Sequence, residues 1–286
     1  MRVQRDLGVA PRPRVSVVLG SFNRLRLLTH AIDSVRAQIP AMEREIIVVD
    51  GGSSDGSVAW LTAQHDIVTI IQHNRTEVDG RKMMRGSWGY FMNLAFRSAR
   101  ADHVLMISDD TVVLPGAVDT ALRRFDELAA AGRKIGGMAF YFRDWPSETE
   151  YYVQKTLGGR LMVNHGLFAK QALEKVGYID EDTYLFYKAD GDLSLRIWQA
   201  GYEIVDVPGG FVEHYLDPGE EVRQRNNRLL DHDRRQYFAR WSPIFGKSMF
   251  EAAGRITVAF EDQERTAERV FSAMTEHLKE TTPCSV

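Results

Sequence analysis

Short apolar runs alternate with helical stretches through the first hundred residues of the chain. Four of these runs have the length and the β-branched content of buried strands. They are VSVVLG (15–20), EIIVVD (45–50), DIVTIIQ (66–72) and HVLMIS (103–108). Between them, apolar residues recur at helical spacing in residues 28–35, 58–61 and 88–96. Strands that alternate with helices predict a mostly parallel sheet with helices on both faces.

The pattern is less regular after residue 116. It predicts helices near 116–132, 168–176 and 189–201, and strands at 136–143 and 202–208. The third of these helices is expected to end at Gly201, because glycine is a common C-terminal stop. The polar and aromatic residues 144–160 have no period, so they predict a long loop.

Charge and helical periodicity dominate the chain beyond residue 216. Residues 217–235 are densely charged and lack apolar periodicity, which predicts a mobile loop, and we expect the segment 217–241 to close as a lid over a ligand. Residues 247–280 predict a helix with an apolar stripe at Val270, Phe271, Met274 and Leu278. We therefore divide the chain into a tail (1–13), a main domain (14–216, with halves 14–115 and 116–216) and a charged loop with a helical C-terminal extension (217–286).

Composition narrows the classes of protein. With 286 residues, of which 44% are hydrophobic, the chain can bury the core of one large domain. A net charge of −3 gives no positive field for nucleic acid, which we exclude as a partner. The single cysteine, Cys284, excludes a disulfide framework. Neither a secretory signal nor an apolar run of about 18 residues is found, so we expect a cytoplasmic protein.

Three of the predicted strands end in residues that could bind a ligand. Ser21 and Phe22 follow the first strand, Asp50 ends the second before the turn GGSSDGS, and Asp109 and Asp110 follow the fourth. Ligands of open α/β sheets bind beyond the carboxyl ends of the strands. The segment LGSFNR contains one glycine, so it is neither a dinucleotide fingerprint nor a phosphate loop.

The adjacent carboxylates of Asp109 and Asp110 cost energy unless a cation or hydrogen bonds meet them. They lie either in a solvated turn or in a metal site. A metal site would suit a nucleotide diphosphate, because Mg²⁺ binds carboxylate and phosphate oxygens together and neutralises the leaving group. Asp50 would then hold the nucleotide, although it can also cap the turn that follows. Arg85 belongs to a charged segment that either faces solvent or reaches the diphosphate.

Six motifs occur in one order along the chain. They are VSVVLGSFNR, EIIVVDGGSSDGS, MNLAFRSARADHVLMISDDT, VGYIDED, DGDLSLRIWQAGY and VEH. In this order they resemble the inverting glycosyltransferases of family 2, over about residues 14–216. The resemblance implies the GT-A fold, an α/β fold with a mixed, mostly parallel central sheet in a single nucleotide-diphospho-sugar transferase domain. It also implies that Mg²⁺ or Mn²⁺ assists transfer of a sugar from a nucleotide-diphosphate donor to an acceptor hydroxyl, with inversion.

The resemblance assigns roles to individual residues. The implied nucleotide-sugar site comprises Ser21, Phe22, Asp50, Arg85, Asp109 and Asp110. Ser108-Asp109-Asp110 occupies the family's Asp-x-Asp position, and its last residue, Asp110, is the expected metal ligand. His214 of VEH would complete the metal shell, although a lone histidine is more often a core residue. Asp190 matches the general base, with an ordinary N-cap as its alternative, and Asp192 is expected to cap the helix or bind neighbouring backbone.

The segment QYFARW (236–241) is similar to the Gln-x-x-Arg-Trp signature of processive family 2 synthases, but Gln236 and Arg240 are one residue too far apart. Because no membrane helix is predicted either, we interpret the chain as a non-processive enzyme that adds one sugar. Its acceptor would be a saccharide, a lipid-linked molecule or a small molecule, and its C-terminal helices could form a homodimer. A non-catalytic sugar-nucleotide-binding protein and a nucleotidyltransferase are the alternatives.

Overall fold

The computed structural model describes residues 11–216, 220–246 and 254–272. The first half of the chain follows the predicted alternation. Its elements are β1 (Val15–Ser21), α1 (Leu25–Gln38), β2 (Arg44–Asp50), α2 (Ser57–Thr62), β3 (Ile67–Ile71), β4 (Arg75–Val78), β5 (Arg81–Met84), α3 (Trp88–Ser98), β6 (His103–Met106) and β7 (Thr111–Val113). The four strands and three helices predicted in this half are confirmed.

The second half contains longer strands and the longest helix. Its elements are α4 (Ala117–Ala130), β8 (Ile135–Trp145), β9 (Tyr151–Gln154), β10 (Gly166–Ala169), α5 (Lys170–Val176), α6 (Ala189–Gln199), β11 (Glu203–Tyr215), α7 (Glu220–Phe245) and β12 (Arg255–Val258), and residues 266–272 are helical. The predicted helices at α4, α5 and α6 and the strands at β8 and β11 are confirmed.

Ten of the strands form one sheet in the part of the chain that the structure describes, in the order β12-β9-β8-β10-β6-β1-β2-β3, with β11 joining β8 to β7. The strands β3, β2, β1 and β6 run parallel to one another. Strand β10 then pairs antiparallel with both β6 and β8, whereas β11 runs parallel to β8. The predicted α/β fold with a mixed sheet is confirmed. The three candidate groups that the sequence placed at strand ends follow β1, β2 and β6, which belong to the parallel part of the sheet.

Alternate residues of the central strand β1 enter two separate cores. Val17 and Leu19 pack with Leu28 and Ile32 of α1 on one face. Val18 packs on the other face, against α3. Each fully buried aliphatic side chain stabilises the fold by about 1.5–3 kcal/mol relative to exposure. This alternation fixes the register, since a slip by one residue would exchange the two faces.

The prediction of a long loop over residues 144–160 is wrong in part. Strand β8 extends to Trp145, and residues 151–154 form β9, in which Tyr151 and Tyr152 are buried. Strand β9 pairs with β8 and β12, and both tyrosines are buried although they point to opposite faces. A strand that is buried on both faces shows no alternation between apolar and polar residues, so its period was invisible in the sequence.

The charged segment 217–235, predicted as a mobile loop, is helical from Glu220 onwards, and residues 217–219 lie outside the described residues. The buried face of α7 repeats every four residues, at Asp233, Tyr237 and Trp241. Because Asp233 is a carboxylate, the sequence pattern did not indicate an apolar face for this helix. The prediction of a helix over 247–280 is wrong at β12 and confirmed for residues 266–272, whereas 247–253 and 273–286, with Met274 and Leu278, lie outside the described residues.

Within the described residues, no helix combines the length and the apolar character needed to cross a membrane.

Candidate active site

The carboxyl ends of β1, β2 and β6 meet at one edge of the sheet. Ser21 pairs with Asp50 at the ends of β1 and β2. On the other side of β1, Val18 pairs with Met106, the last residue of β6. The structure therefore brings together the three groups that the sequence placed at strand ends, as the topology of a parallel sheet requires.

Asp50 is fully buried and forms the turn after β2. Its Oδ1 accepts hydrogen bonds from the backbone N–H groups of Gly52 (2.8 Å) and Ser53 (2.7 Å), and its Oδ2 accepts one from the Ser53 hydroxyl (2.7 Å). Gly52 has φ +87° and a Cβ there would lie 2.3 Å from Nδ1 of His73, so this position requires glycine. Asp50 thus has the turn-forming role that the sequence left open, and its contact with a nucleotide stays a prediction.

Phe22 and Arg85 are both connected to the turn after Asp50. A Cβ on Gly51 would lie 3.0 Å from Cδ2 of Phe22, so the half-buried ring packs closely on this glycine. Asn74 donates its backbone N–H to the Gly51 carbonyl (3.0 Å), and its Oδ1 accepts from the backbone N–H of Arg85 (3.0 Å). The Arg85 side chain is exposed, and its contact with a diphosphate stays a prediction.

Asp109 and Asp110 lie between β6 and β7 and share one guanidinium group. Nη1 of Arg24 lies 3.3 Å from Oδ1 of Asp109 and 2.5 Å from Oδ2 of Asp110. The Ser108 hydroxyl donates to Oδ1 of Asp110 at 2.5 Å. The two aspartate side chains are 9% and 13% exposed. The solvated turn that was the alternative for this pair is therefore not observed.

Burial and nearby charge give these two carboxyls opposite behaviour. Burial raises the pKa of Asp109, and the negative charge of Asp110 adds to this effect against the opposing charge of Arg24. Burial acts in the same direction on Asp110, but His214 and Arg24 outweigh it and hold the pKa of Asp110 below its ordinary value. The nearby Ser21 hydroxyl acts in the opposite direction and lowers the pKa of Asp109. This hydroxyl is buried, and its distance and angles to the described residues do not make a full hydrogen bond. Asp110 therefore keeps its negative charge to lower pH than Asp109 does.

Strand β11 carries His214 to the acid pair. Its register pairs His214 with Thr111, the residue after Asp110, and with Asp144 on β8. Nε2 of His214 lies 3.5 Å from Oδ1 of Asp110, and Nδ1 lies 2.7 Å from Oδ1 of Asp144. Burial lowers the pKa of His214, but the two carboxylates outweigh it and raise the pKa to about 10. The structure thus places His214 next to Asp110 rather than in the apolar core.

A divalent cation would fit between Asp110 and His214 if it replaced the proton on Nε2 of His214, because only a neutral imidazole binds a metal. Their facing atoms are 3.5 Å apart, and bonds of about 2.0–2.2 Å to a small hard cation allow both atoms to bind one ion. Among the described residues, no group of three or more His, Cys, Asp or Glu side chains could hold a metal. Two protein ligands would therefore have to be completed by phosphate oxygens and water, which is common for Mg²⁺ with nucleotides.

The segment before β10 lies at the same edge of the sheet. Gly166 begins β10 and pairs antiparallel with Met106, so the residues before Gly166 lie beside those that follow Met106. The ring of His165 is 5.6 Å from the ring of His214, measured between centroids. Burial lowers the pKa of His165 to about 3, so this ring is neutral at pH 7. This segment connects the acid pair to the helix that carries Asp190.

Asp190 lies in the first turn of α6 and has neutral hydrogen-bond partners. Nδ2 of Asn164 donates to its Oδ2 at 2.8 Å, and the backbone N–H of Gly191 donates to its Oδ1 at 2.8 Å. Burial raises the pKa of Asp190, and these hydrogen bonds and the charge of Lys188 reduce the effect without cancelling it. The N-cap of α6 is Lys188, so the alternative of an ordinary N-cap is not observed. A carboxylate with a raised pKa suits a general base.

Asp192, two residues further along α6, has a different environment. It is fully buried and accepts hydrogen bonds from Nε of Arg196 (2.6 Å), Nε1 of Trp241 (2.9 Å), Nη1 of Arg240 (3.2 Å) and the Tyr184 hydroxyl (3.2 Å). It makes no N-terminal cap, so the prediction that it caps the helix or binds neighbouring backbone is wrong. Arg196 lies four residues further along the same helix, whereas Arg240 and Trp241 belong to α7, and no local pattern indicates that these two reach Asp192.

Sequence reasoning missed three residues that hold this site together. Arg24 forms ion pairs with both members of the acid pair, Asp144 orients His214, and Asn164 holds Asp190. Arg24 ends the motif VSVVLGSFNR, so its position after the first strand was a usable signal. Asp144 and Asn164 reach the site through strand register and loop placement, for which the sequence carried no signal.

Comparison with known proteins agrees with this geometry. The family "Glycosyl transferase family 2" matches residues 16–170, which is more than half of the chain. Chondroitin synthase from Pasteurella multocida is 23% identical over 269 residues, covering 76% of this chain and 26% of that protein. A GalNAc(5)-diNAcBac-PP-undecaprenol beta-1,3-glucosyltransferase from Campylobacter jejuni is 26% identical, covering 63% of this chain and 50% of that protein. The chain thus spans half the length of these relatives or less.

Solved structures share the fold. A mannosyltransferase from Pyrobaculum calidifontis, solved with GDP-Man and Mn²⁺, superposes with a TM-score of 0.57 at 22% identity and covers 83% of this chain and 66% of that chain. TarS from S. aureus, solved with UDP-GlcNAc, has a TM-score of 0.57 at 14% identity and covers 79% of this chain and 66% of that chain. These likenesses confirm the GT-A fold. With the family match over residues 16–170, they establish that the chain belongs to glycosyl transferase family 2.

Proposed function

We propose that the chain transfers one sugar from a nucleotide-diphosphate donor to an acceptor hydroxyl, with a divalent metal and with inversion at the anomeric carbon. The observation that carries this proposal is the arrangement of two unlike acidic sites at one edge of the sheet. Asp110 faces His214 beside the strand ends, and Asp190 forms a carboxyl site with a raised pKa that is linked to them through the neighbouring residues Asn164 and His165.

Each group has a defined task in this reaction. Asp110 and His214 would hold Mg²⁺ or Mn²⁺, which when bound neutralises the diphosphate as it leaves. Asp190 accepts the proton of the acceptor hydroxyl, whose oxygen forms the new bond to the anomeric carbon. The bond from that carbon to the diphosphate oxygen breaks, and the nucleoside diphosphate leaves with the electron pair. Attack from the face opposite the leaving group inverts the configuration.

The geometry around Asp190 supports the role of base. Its Oδ2 is held by the amide of Asn164 rather than by a cation. The Oδ1 atom of Asn164 is buried without a hydrogen-bond partner among the described residues. A buried acceptor of this kind is costly unless a donor reaches it. A hydroxyl of a bound sugar would satisfy it next to the proposed base.

The donor part of the site would comprise Ser21, Phe22, Asp50, Arg85 and Asp109, with Asp110 shared with the metal. Support comes from their common position at the ends of β1, β2 and β6. The solved relatives were crystallised with GDP-Man and with UDP-GlcNAc, so the base of the nucleotide and the sugar stay open. The acceptor, the homodimer and non-processive transfer also stay predictions.

A two-step experiment tests the proposal. Thermal shift with UDP, GDP, dTDP and CDP, each with and without Mn²⁺, should raise the melting temperature for one nucleotide in a metal-dependent way. The matching nucleotide sugar is then incubated with an acceptor panel, and the anomeric configuration of the product is read by proton NMR. Nucleotide binding without any turnover would favour a non-catalytic binding protein. Retention of configuration would contradict the role of Asp190 as a base.

A further inference from the structure

A buried carboxylate on α7 holds the segment that leads to Asp190. Asp233 is fully buried and accepts three consecutive backbone N–H groups, from Leu185 (2.9 Å), Phe186 (2.8 Å) and Tyr187 (2.7 Å). Hydrogen bonds to an ionised acceptor are short and about twice as strong as neutral ones. Three of them on one side chain fix the backbone of this segment against α7.

A second carboxylate fastens the same two parts in the opposite direction. Asp192 belongs to α6 and accepts from Trp241 and Arg240 of α7. Asp233 belongs to α7 and accepts from the backbone that precedes α6. Asp190 thus lies between two points at which α7 is attached, one on each side of it in the sequence.

The fixed segment determines where Asp190 lies. It leads into Lys188, a residue with a left-handed backbone (φ +64°), and α6 begins at the next residue. A non-glycine residue in this conformation is strained and persists only where the surroundings impose it. No side chain caps this end of α6. The hydrogen bonds of Asp233 therefore supply an anchor immediately before the turn that delivers Asp190.

A second contact anchors the segment without Asp233. The backbone N–H of Trp88 donates to the Leu185 carbonyl at 2.9 Å. The Ser87 hydroxyl donates to the carbonyl of Glu181, earlier in the same loop, at 2.8 Å. Loss of the Asp233 carboxylate should therefore loosen the segment rather than release it, so the effect on Asp190 can be measured in a folded protein.

We propose that Asp233 is a positioning residue for Asp190, a role that rests on the proposed function. Asp233 fixes residues 185–187, and through them it sets the position of the Asp190 carboxylate relative to the acceptor hydroxyl. A misplacement of about 1 Å at a reacting group can cost about 100-fold in rate. The charged helix α7 therefore helps to position the proposed base, although Asp233 itself touches no reacting atom.

The test uses Asp233→Asn with Glu45→Gln as a matched control. An asparagine side chain has one N–H₂ group, which faces backbone donors in either orientation, so at least one of the hydrogen bonds is lost. Glu45 is also buried and accepts from Ser16 (2.8 Å) and the backbone N–H of Arg100 (3.0 Å), but it lies on β2 at the end opposite Asp50. Both variants remove one buried charge, and only one of them contacts the segment before Asp190.

Hydrogen exchange and turnover are measured on both variants. Asp233→Asn should accelerate exchange of the amides of residues 185–193, whereas Glu45→Gln should affect residues 100–101 instead. Release of nucleoside diphosphate is followed with UDP-glucose, UDP-GlcNAc and GDP-mannose in Mn²⁺, with p-nitrophenyl glycosides as acceptors. Asp233→Asn should lower turnover by about 10–100-fold, with nucleotide affinity unchanged within about twofold.

Three results would overturn the inference: unchanged exchange at 185–193, unchanged turnover despite faster exchange there, or an equal loss of turnover in Glu45→Gln. A wild-type protein that turns over no donor would instead remove the proposed function, while exchange would still report whether Asp233 holds the segment. If Asp233→Asn does not fold, Asp233→Glu keeps the carboxylate but moves it by one methylene group away from its position beside residues 185–187. It should accelerate exchange at 185–193 and lower turnover by about tenfold, and unchanged turnover despite faster exchange would overturn the inference.

Discussion

The two acidic regions of the site differ in what surrounds their carboxylates. Asp110 is flanked by the guanidinium of Arg24 and the ring of His214, and its pKa is held low. Asp190 is hydrogen-bonded by an amide and a backbone N–H, no described residue forms an ion pair with it, and its pKa is raised. The first environment keeps a charge in place, and the second favours a carboxyl that can take up a proton.

This difference shows that burial alone does not determine the role of an acid. Both carboxylates lie at one edge of the same sheet, and burial acts on both in the same direction. The charges brought by β11 and by the start of α1 reverse the outcome at Asp110. Paired titratable groups whose environments separate their pKa values indicate which residue acts as acid or base and which one stays ionised.

The strongest test of the comparison is Asp190→Asn. This change keeps the size of the side chain and removes the proton acceptor, so transfer should fall by about 10²–10⁴-fold. Nucleotide affinity should not change, because the donor site depends on the other acidic region. Steady-state transfer and calorimetric titration with nucleotide and Mn²⁺ separate the two effects. A loss of nucleotide affinity in this variant would place Asp190 in the donor site instead.

The neighbour of Asp190 should show a structural effect of comparable size. Asp192→Asn leaves the buried guanidinium of Arg196 without its counter-ion, and removal of one partner of a buried pair costs about 3–5 kcal/mol in unfolding free energy. Glu203→Gln is the control, because Glu203 pairs with Arg133 and the two side chains are 48% and 39% exposed, and such exposed pairs contribute little to stability. Urea unfolding measures both. Equal losses would mean that Asp192 has no special structural role.

A smaller effect is expected at Asp144, which acts on the proposed metal site only through its hydrogen bond to His214. Asp144→Asn weakens the hydrogen bond that orients His214, so metal-dependent nucleotide affinity should fall by about 10–100-fold. Asp206→Asn is the matched control, since Asp206 accepts a hydrogen bond from the Tyr141 hydroxyl (2.6 Å) and lies elsewhere on β11. Calorimetry with Mn²⁺ and with chelator gives the metal-dependent part. The same loss in both variants would show that β11, rather than Asp144, had been disturbed.

The parallel half of the fold and its strand-end residues could be predicted from the sequence, because their signals are local. An apolar run such as residues 45–50 contains its own strand period, and Asp50 follows it directly. In a parallel sheet the carboxyl ends of neighbouring strands meet, so Ser21, Asp50 and Asp110 could be grouped from the sequence alone. His214 and Asp190 were reached only through the family resemblance.

The rest depends on contacts between distant parts of the chain. Asp144 faces His214 because β8 and β11 run parallel with a shifted register, and no sequence pattern encodes that shift. The buried face of α7 contains Asp233, so its spacing of four residues did not register as hydrophobic. Backbone N–H groups donate hydrogen bonds whatever the residue type, apart from proline. The sequence therefore does not indicate which residues donate to a buried carboxylate of this kind.

The smallest effect, and the finest test of the comparison, is the pH dependence of transfer. Asp190 must be deprotonated to accept the acceptor's proton, and burial raises its pKa above the ordinary aspartate value. Transfer should therefore be constant at high pH and fall by about tenfold per pH unit below a pKa higher than that of an exposed aspartate. The rate is lost as pH falls, because the protonated form that burial favours is the inactive one.

The same profile in Asp109→Asn identifies the carboxyl responsible for the loss. Burial also raises the pKa of Asp109, so an acidic limb alone does not distinguish it from Asp190. Asp109 lies beside Arg24 and takes no proton from the acceptor in the proposed reaction, so its replacement should leave the acidic limb of kcat in place. Measurement of kcat at saturating donor and Mn²⁺ keeps changes in nucleotide binding out of the profile. If the acidic limb disappears in Asp109→Asn, the titrating group belongs to the acid pair, and Asp190 is not the residue whose protonation abolishes transfer.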